Sequence, residues 1–270
     1  MRNLTRLGRG IGVELAIITA ALLFIFFTGC DKRSGAPTGL VTNYPLMHPV
    51  SDASLVDELR RQYKEDAARL ALRVIRENNW PAIDEVELPG GLVNSLYYAL
   101  LHLRNSKLPA RDSVIEMYNI RTFKAPYMDE VILAVDSTVE WLRPWREGKR
   151  FTGNLEVDHL MILYDLRVTR YYALKFGGHL VELKSSRLLN TYALADEFDK
   201  VDDVIAADAN GGIGDGNDIE AKVKDGSWEL EYSLGWGDCP SGCTLRHYWR
   251  FQIKVNGNVE FQGSYGDPVL

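Results

Sequence analysis

Leu55, Val56, Leu59, Tyr63, Leu70, Val74 and Ile75 recur at helical spacing behind Ser54, which has an acid, Asp57, three positions on. This predicts a helix from Ser54 that Pro81 stops. A second helix is predicted over Leu92–Leu103, between Pro89-Gly90-Gly91 and Pro109, with Tyr97 and Tyr98 as core residues of its apolar stripe. The continuous run Val131–Val135 suits a buried strand, and Trp141–Trp145 breaks the pattern after it. Leu155–Leu166 then reads as a helix, Arg167–Leu174 as a strand, Gly177-Gly178 as a turn and His179–Leu183 as a second strand. Asn190 opens a helix to about Val201, and Val204–Ala207 supplies a strand, completing a strand–helix–strand unit. Beyond Asp218 the period changes to two. Ile219, Ala221 and Val223 alternate with polar residues, as do Trp228, Leu230, Tyr232 and Leu234, with Asp225-Gly226 turning between them. Leu245, His247, Trp249, Phe251 and Ile253 continue the alternation, Asn256-Gly257 turns, and Val259 and Phe261 return. The pattern predicts an antiparallel meander with one apolar face, the other carrying Glu229 and Glu231 opposite Arg250 and Lys254.

The fold class is therefore α+β: an N-terminal helical region, a strand–helix–strand unit and a C-terminal antiparallel β-meander. Four segments follow: a leader over residues 1–29, a tether over 30–50, a helix-rich region over 51–175, and an α+β region over 176–270 that ends in the sheet. The tether contains Gly35, Pro37, Gly39, Pro45 and Pro49 without apolar periodicity, and as a flexible coil it spans about 25 Å on average. The chain carries 31 Lys+Arg against 37 Asp+Glu. Without the leader, which holds three arginines and one glutamate, the net charge is −8. An acidic chain without basic blocks lacks the electrostatic footprint of a nucleic-acid binder.

The leader itself has the parts of a secretory signal: Arg2, Arg6 and Arg9, an apolar stretch from Leu15 to Phe27, then Thr28-Gly29-Cys30. Those thirteen residues reach only about 20 Å as a helix, short of a membrane span. Phe27-Thr28-Gly29-Cys30 resembles the lipobox of bacterial lipoproteins, departing from it at Phe27, where Leu is more usual. The resemblance implies diacylation of Cys30, cleavage before it, and a protein held on a membrane of the cell envelope through lipid. Asp31 resembles an inner-membrane retention signal of some Gram-negative bacteria and does not by itself decide the leaflet.

Two cysteines remain, Cys239 and Cys243, in a short loop with Pro240 and Gly242. In an oxidising compartment such a pair closes as a disulfide, and the rival reading is a metal site of Cys239, Cys243 and His247. The stretch Gly235–Cys243, followed by His247-Tyr248-Trp249, resembles an element of exported bacterial proteins that brings no activity with it. Leu108–Asp112 and Gly214–Ile219 look like parts of the same family. The strand–helix–strand unit is similar to half of the ferredoxin-like prodomains that inhibit subtilisin-type proteases.

Candidate chemistry is sparse. There is no Gly-x-Ser-x-Gly, Ser-x-x-Lys, His-Glu-x-x-His or Walker lysine, and Asp202-Asp203 reads as a solvated pair. Asp208, Asn210, Asp215, Asn217 and Asp218 offer oxygens for a weak calcium site, although Gly212 and Ile213 fall where an EF-hand would need a ligand and a glycine. The alternative is a flexible connection. His247, on the apolar strand face, reads as a core histidine, and Trp236, between two glycines of a constrained loop, as a candidate partner contact. The expectation is a non-catalytic binding or structural module with an envelope protein or polymer as partner. An acid/base hydrolase with two carboxylates converging in a cleft, or a protease-inhibitor-like module, are the alternatives.

Overall fold

A computed structural model describes residues 44–174 and 177–269 of the chain, so the leader and Cys30 lie outside the described residues. The fold is α+β, with two four-stranded antiparallel sheets of order β2-β3-β1-β4 and β5-β6-β7-β8. In chain order, α1 (Asp57–Glu77) and α2 (Gly90–Asn105) lead into the short turn α3 (Pro109–Asp112) and strand β1 (Glu130–Val135). The short α4 (Arg143–Arg146), α5 (Leu155–Leu163), β2 (Leu166–Ala173), β3 (His179–Ser185), α6 (Thr191–Phe198) and β4 (Val204–Ala209) follow. The meander is β5 (Asp218–Lys224), β6 (Ser227–Trp236), β7 (Leu245–Ile253) and β8 (Val259–Gly266).

Local chemistry sets most boundaries. Asn154 and Asn190 cap α5 and α6, their side chains accepting amides of the first turn. The capping box expected at Ser54 does not form. Leu55 N donates instead to Asp52 O at 2.9 Å, a turn precedes the helix, and α1 starts at Asp57 without a side-chain cap. The helix read to Leu166 ends at Leu163, because Asp165 turns the chain with φ 48° and Leu166 already pairs with Ser185 of β3. Val131–Val135 is one-sided rather than wholly buried: Val131, Leu133 and Val135 are buried and the residues between them only half so. β3 and β4 both pair antiparallel with β1, so they are parallel to each other, and β3–α6–β4 is a split unit with β1 between its strands.

Two large hydrophobic cores interleave along the chain, and a small third cluster joins Ala68 and Leu72 of α1 to Met128. One large core joins α1 and α2 to the inner face of the meander through Leu70, Leu96, Leu100, Trp228, Tyr232 and Phe251. Ser95 of α2 pins three segments there, accepting from Trp228 Nε1 (3.0 Å) and Met47 N (3.3 Å) and donating to the Pro45 carbonyl. The other core joins β1 and β3 to α5 and α6 through Val131, Leu133, Val181, Leu183, Met161 and Phe198. A sequence boundary at 175/176 runs between β2 and β3, inside the second core. The chain enters this middle region through residues 118–130 and leaves it through 209–218.

Candidate functional site

Of the residues singled out from the sequence, Cys239, Cys243, Asp215 and Asn217 meet at the outer end of the β6–β7 connection, while Asp208, Asn210 and Asp218 are held along the crossing before β5. Cys239 and Cys243 are joined as a disulfide at the outer end of the β6–β7 connection. The ring docks on the segment before β5: Asp215 N donates to Cys239 O (2.9 Å), Cys243 N donates to Asp215 Oδ2 (3.1 Å), and Arg246 pairs with Asp215 at 2.6 Å. Gly214 sits here at φ 91°, where an added Cβ would lie 2.9 Å from Cys239 O. The alternative metal site is not formed, since the sulfurs are bonded to each other and His247 Nδ1 donates to the Asp267 carbonyl at 2.7 Å. His247 is half-buried with its ring 4.5 Å from that of Trp249 and, unlike the core histidine expected, belongs to neither core. Trp236 ends β6 opposite Leu245, half-buried and in neither core.

The calcium ligands are committed elsewhere. Asp208 Oδ1 accepts from Ala209 N and Asn217 Oδ1 from Gly235 N. Asn210 Nδ2 donates to Glu130, while Asp218 takes Arg73 at 2.8 Å and Phe123 N at 2.7 Å. Among the described residues no group of three or more His, Cys, Asp or Glu is placed to hold a metal ion. Nor is this segment a loose connection. Gly212 N donates to Lys124 O (2.6 Å) and Tyr127 N to Asn210 O (2.7 Å), so the two crossings between the cores run side by side. A Cβ on Gly211 or Gly212 would lie 3.3 Å from Ala125 Cα or 3.0 Å from Lys124 O. The glycines therefore serve close approach of two backbones.

What holds those crossings is a feature absent from the sequence reading: one face of α1 carries Asp66, Arg69 and Arg73. Arg69 donates to the Pro126 carbonyl (2.9 Å) and to Thr122 Oγ1 (2.7 Å), and Thr122 in turn donates from its amide and hydroxyl to Asp66. Arg73 binds Asp218, the Ile219 carbonyl and the Phe123 carbonyl, reaching both crossings at once. Arg121 lies 2.6 Å from Asp66, a close ionic contact not aligned as a hydrogen bond, with its guanidinium 4.0 Å over the Tyr63 ring. Asp66 and Arg69 are 4% and 3% exposed, which makes this a buried network. Burial pushes the Asp66 carboxyl up, while Arg121, the Thr122 donors and Arg69 pull it down. Burial also draws Arg69 below its ordinary value, against the charge of Asp66. The signal was present in Ala67-Ala68-Arg69-Leu70-Ala71-Leu72-Arg73-Val74-Ile75, where charges sit in a helix apolar on all sides.

Above this network a groove follows α1. A cleft of about 370 Å³ is floored by Asp66, Arg69 and Arg121 and rimmed by Arg61, Glu65 and Lys124. It shares Arg61, Glu65, Asp129, Lys184 and Leu188 with a neighbouring depression of about 510 Å³. That depression shares Lys64 and Leu188 with a third, which ends against Tyr97 and Tyr98. Most charges of the groove are paired within it, Arg61 with Glu58 at 2.6 Å and Lys184 with Glu130 at 2.6 Å and Asp129 at 3.2 Å. Lys64, Glu65 and Lys124 have no ion-pair partner among the described residues.

A general acid needs a proton that the substrate can reach, but Asp66 lies beneath Arg121 with its Oδ2 out of contact with solvent and its Oδ1 occupied by Thr122. Asp129 and Glu130 share one lysine, so they sit as ion-pair acceptors. Asp202 and Asp203 are exposed in the turn before β4. Comparison of the chain with protein-family models, with curated proteins and with solved structures finds no match.

Proposed function

We propose that this chain is a non-catalytic binding module of the bacterial cell envelope, tethered by lipid on Cys30, whose ligand lies in the groove along α1. The observation that carries the reading is the pattern of pairing in that groove: a buried, ion-paired floor beneath a rim where Lys64, Glu65 and Lys124 are uncommitted. A pre-organised floor reduces the ordering cost of binding, and unpaired charges of both signs suit a ligand that also carries both. An extended peptide with free carboxylates and an amine, as in the peptide stems of cell-wall polymer, fits this description, and the half-buried Tyr98 offers an aromatic contact at one end. Trp236 and the disulfide loop lie on another part of the fold and are secondary candidates for a protein partner.

The test is titration calorimetry of the full chain with soluble peptide fragments released from peptidoglycan. Binding is expected, and Lys64→Glu with Lys124→Glu is expected to weaken it by roughly tenfold or more with unchanged melting temperature. Absence of binding, or binding indifferent to both reversals, rejects the groove. The tether is tested separately: Cys30→Ser is expected to release the protein or leave the precursor unprocessed, and unaltered processing and membrane association would reject it.

A further inference from the structure

His179 opens β3 on the face where Val181 and Leu183 are buried, and it is itself only 8% exposed. Its imidazole meets Arg146, whose Nη2 lies 2.9 Å from Nε2 of the ring. A guanidinium can only donate, so Nε2 accepts and the single proton of the neutral ring sits on Nδ1. There it is buried with no acceptor among the described residues. The same guanidinium donates to the Tyr171 hydroxyl of β2 (2.8 Å) and to the Ser137 carbonyl after β1 (3.2 Å), and the Tyr171 ring packs 5.0 Å from that of His179. One side chain thus fastens α4 to β2, to β3 and to the end of β1.

Protonation of His179 and this contact exclude each other. A second proton on the ring must go to Nε2, the nitrogen that Arg146 occupies, and it would set cation against cation in a buried site. Among the described residues two charges act on the ring, Arg146 from α4 and Asp136 from the end of β1, while β2 contributes the Tyr171 phenol. Arg143 and Lys149, in and just after α4, turn to Glu147 instead. Asp136 attracts a charged ring, but its Oδ1 already accepts from the Thr138 amide and hydroxyl. Burial of the ring and the Arg146 charge outweigh it and hold His179 below the ordinary histidine value. The segment that Arg146 fastens carries Leu142 and Trp145 into the middle core, with Trp141 edge-on to Trp145 at 5.5 Å. Trp141 Nε1 is a second buried donor without an acceptor among the described residues, and water would satisfy both donors on opening. The seal is therefore held under a penalty that opening relieves.

We propose that Arg146 and His179 form an acid-released latch: at neutral pH the unprotonated Nε2 holds residues 137–150 over the end of the middle sheet, and protonation of that nitrogen lets the segment open. The latch depends neither on the groove's ligand nor on the lipid on Cys30. A ring held below its ordinary value costs stability only as pH falls beneath about 6.5, and the open state then gains about tenfold per pH unit until the folded ring itself titrates. The test is amide hydrogen exchange of the full chain from pH 7.5 to 5.5, corrected for the intrinsic pH dependence of exchange. The reporters are the amides of Glu147, Gly148 and Lys149, which bond back to α4, with the β6 amides as an unmoved reference. Opening is expected to rise by on the order of tenfold across that range. His179→Gln, which offers Arg146 an uncharged acceptor at every pH, is expected to abolish the rise. Arg146→Gln is expected to raise opening already at pH 7.5 and to shrink its pH dependence. A rise that survives in His179→Gln, no rise in the wild type, or an Arg146→Gln variant as closed as the wild type at pH 7.5 each overturns the proposal. Proton NMR of the wild-type chain needs no variant: the His179 Cε1 proton is expected to titrate below the ordinary histidine range, and titration within or above it overturns the latch as well.

Discussion

The two sheets solve the same problem with different materials. In the meander, one face is filled by large aromatics, Trp228, Tyr232, Trp249 and Phe251, and the other is solvated, with Arg250 pairing Glu231 at 3.0 Å and Lys224 pairing Glu229 at 2.8 Å. The middle sheet buries aliphatic side chains from β1 and β3 under α5 and α6, while its other face holds Glu182, almost fully buried, against Thr169 and Arg170. The meander's order is sequential, β5-β6-β7-β8, whereas the middle sheet inserts β1 between β3 and β4. A sequential sheet is held by its own hairpins. An inserted one has to be held where the chain enters and leaves, and that is where Asp66, Arg69, Arg73 and Arg121 sit.

This comparison makes the junction the most sensitive place in the molecule. Asp66→Ala leaves Arg121 and Arg69 without their buried counter-charge, and loss of one partner of a buried pair costs about 3–5 kcal/mol. Urea denaturation is expected to show that loss. If the junction couples the cores, the aromatic signal of the meander and amide protection of β1 and β3 fall together. Loss of protection in the middle strands alone would mean that the junction serves only the inserted sheet. Next in size are the paired core truncations Leu183→Ala, in the middle sheet, and Leu230→Ala, in the meander. Each is fully buried and each is expected to cost about 2–5 kcal/mol. A single transition shifted by both variants supports one cooperative unit. Two resolved transitions, with Leu183→Ala lowering only one, would break the chain into independent parts.

The same contrast explains what could be read in advance. Every strand of the meander was legible, because one-sided burial writes itself as strict alternation, and Asp225-Gly226 and Asn256-Gly257 mark the hairpins. In the middle region the elements were legible singly, from Val131–Val135, Asn190 and the Gly177-Gly178 turn, but not their arrangement. Nothing local says that β1 lies between β3 and β4, or that residues 44–120 share a core with the last fifty. The groove was illegible for the same reason. Arg61, Lys124 and Lys184 meet only in three dimensions, and the arginines of α1 resemble solvated charges until the crossings are seen lying on them.

At the outer end of the meander the forces are smaller. The Cys239–Cys243 ring is so short that closing it constrains the unfolded chain by only about 2 kcal/mol. The double Cys239→Ser/Cys243→Ser variant is expected to lower stability by that amount in chemical denaturation, with amide exchange increased around Asp215 and Arg246 and unchanged in β1 and β3. A loss of middle-sheet protection would show that the ring also steadies the nearby crossing.

The smallest effect concerns pH, and it sets Asp215 against Asp66. The two aspartates are shifted in opposite directions: burial raises Asp66, whereas the Arg246 hydrogen bond, with the Gly216 and Cys243 amides, holds the Asp215 carboxyl below its ordinary value. A carboxylate whose folded pKa is depressed stabilises the fold above its unfolded value, and that contribution disappears as pH falls through the folded value. Asp215 is partly exposed, so its ion pair with Arg246 is worth only about 0.2–1 kcal/mol. Asp215→Asn is therefore expected to cost a few tenths of a kcal/mol at neutral pH. It should cost progressively less below the ordinary carboxylate range, so that mutant and wild-type stability curves converge in acid. Urea midpoints measured from neutral pH down to the acid limb give the comparison directly. Curves that stay parallel would mean that the backbone contacts of this residue, and not its charge, hold the disulfide ring against the crossing.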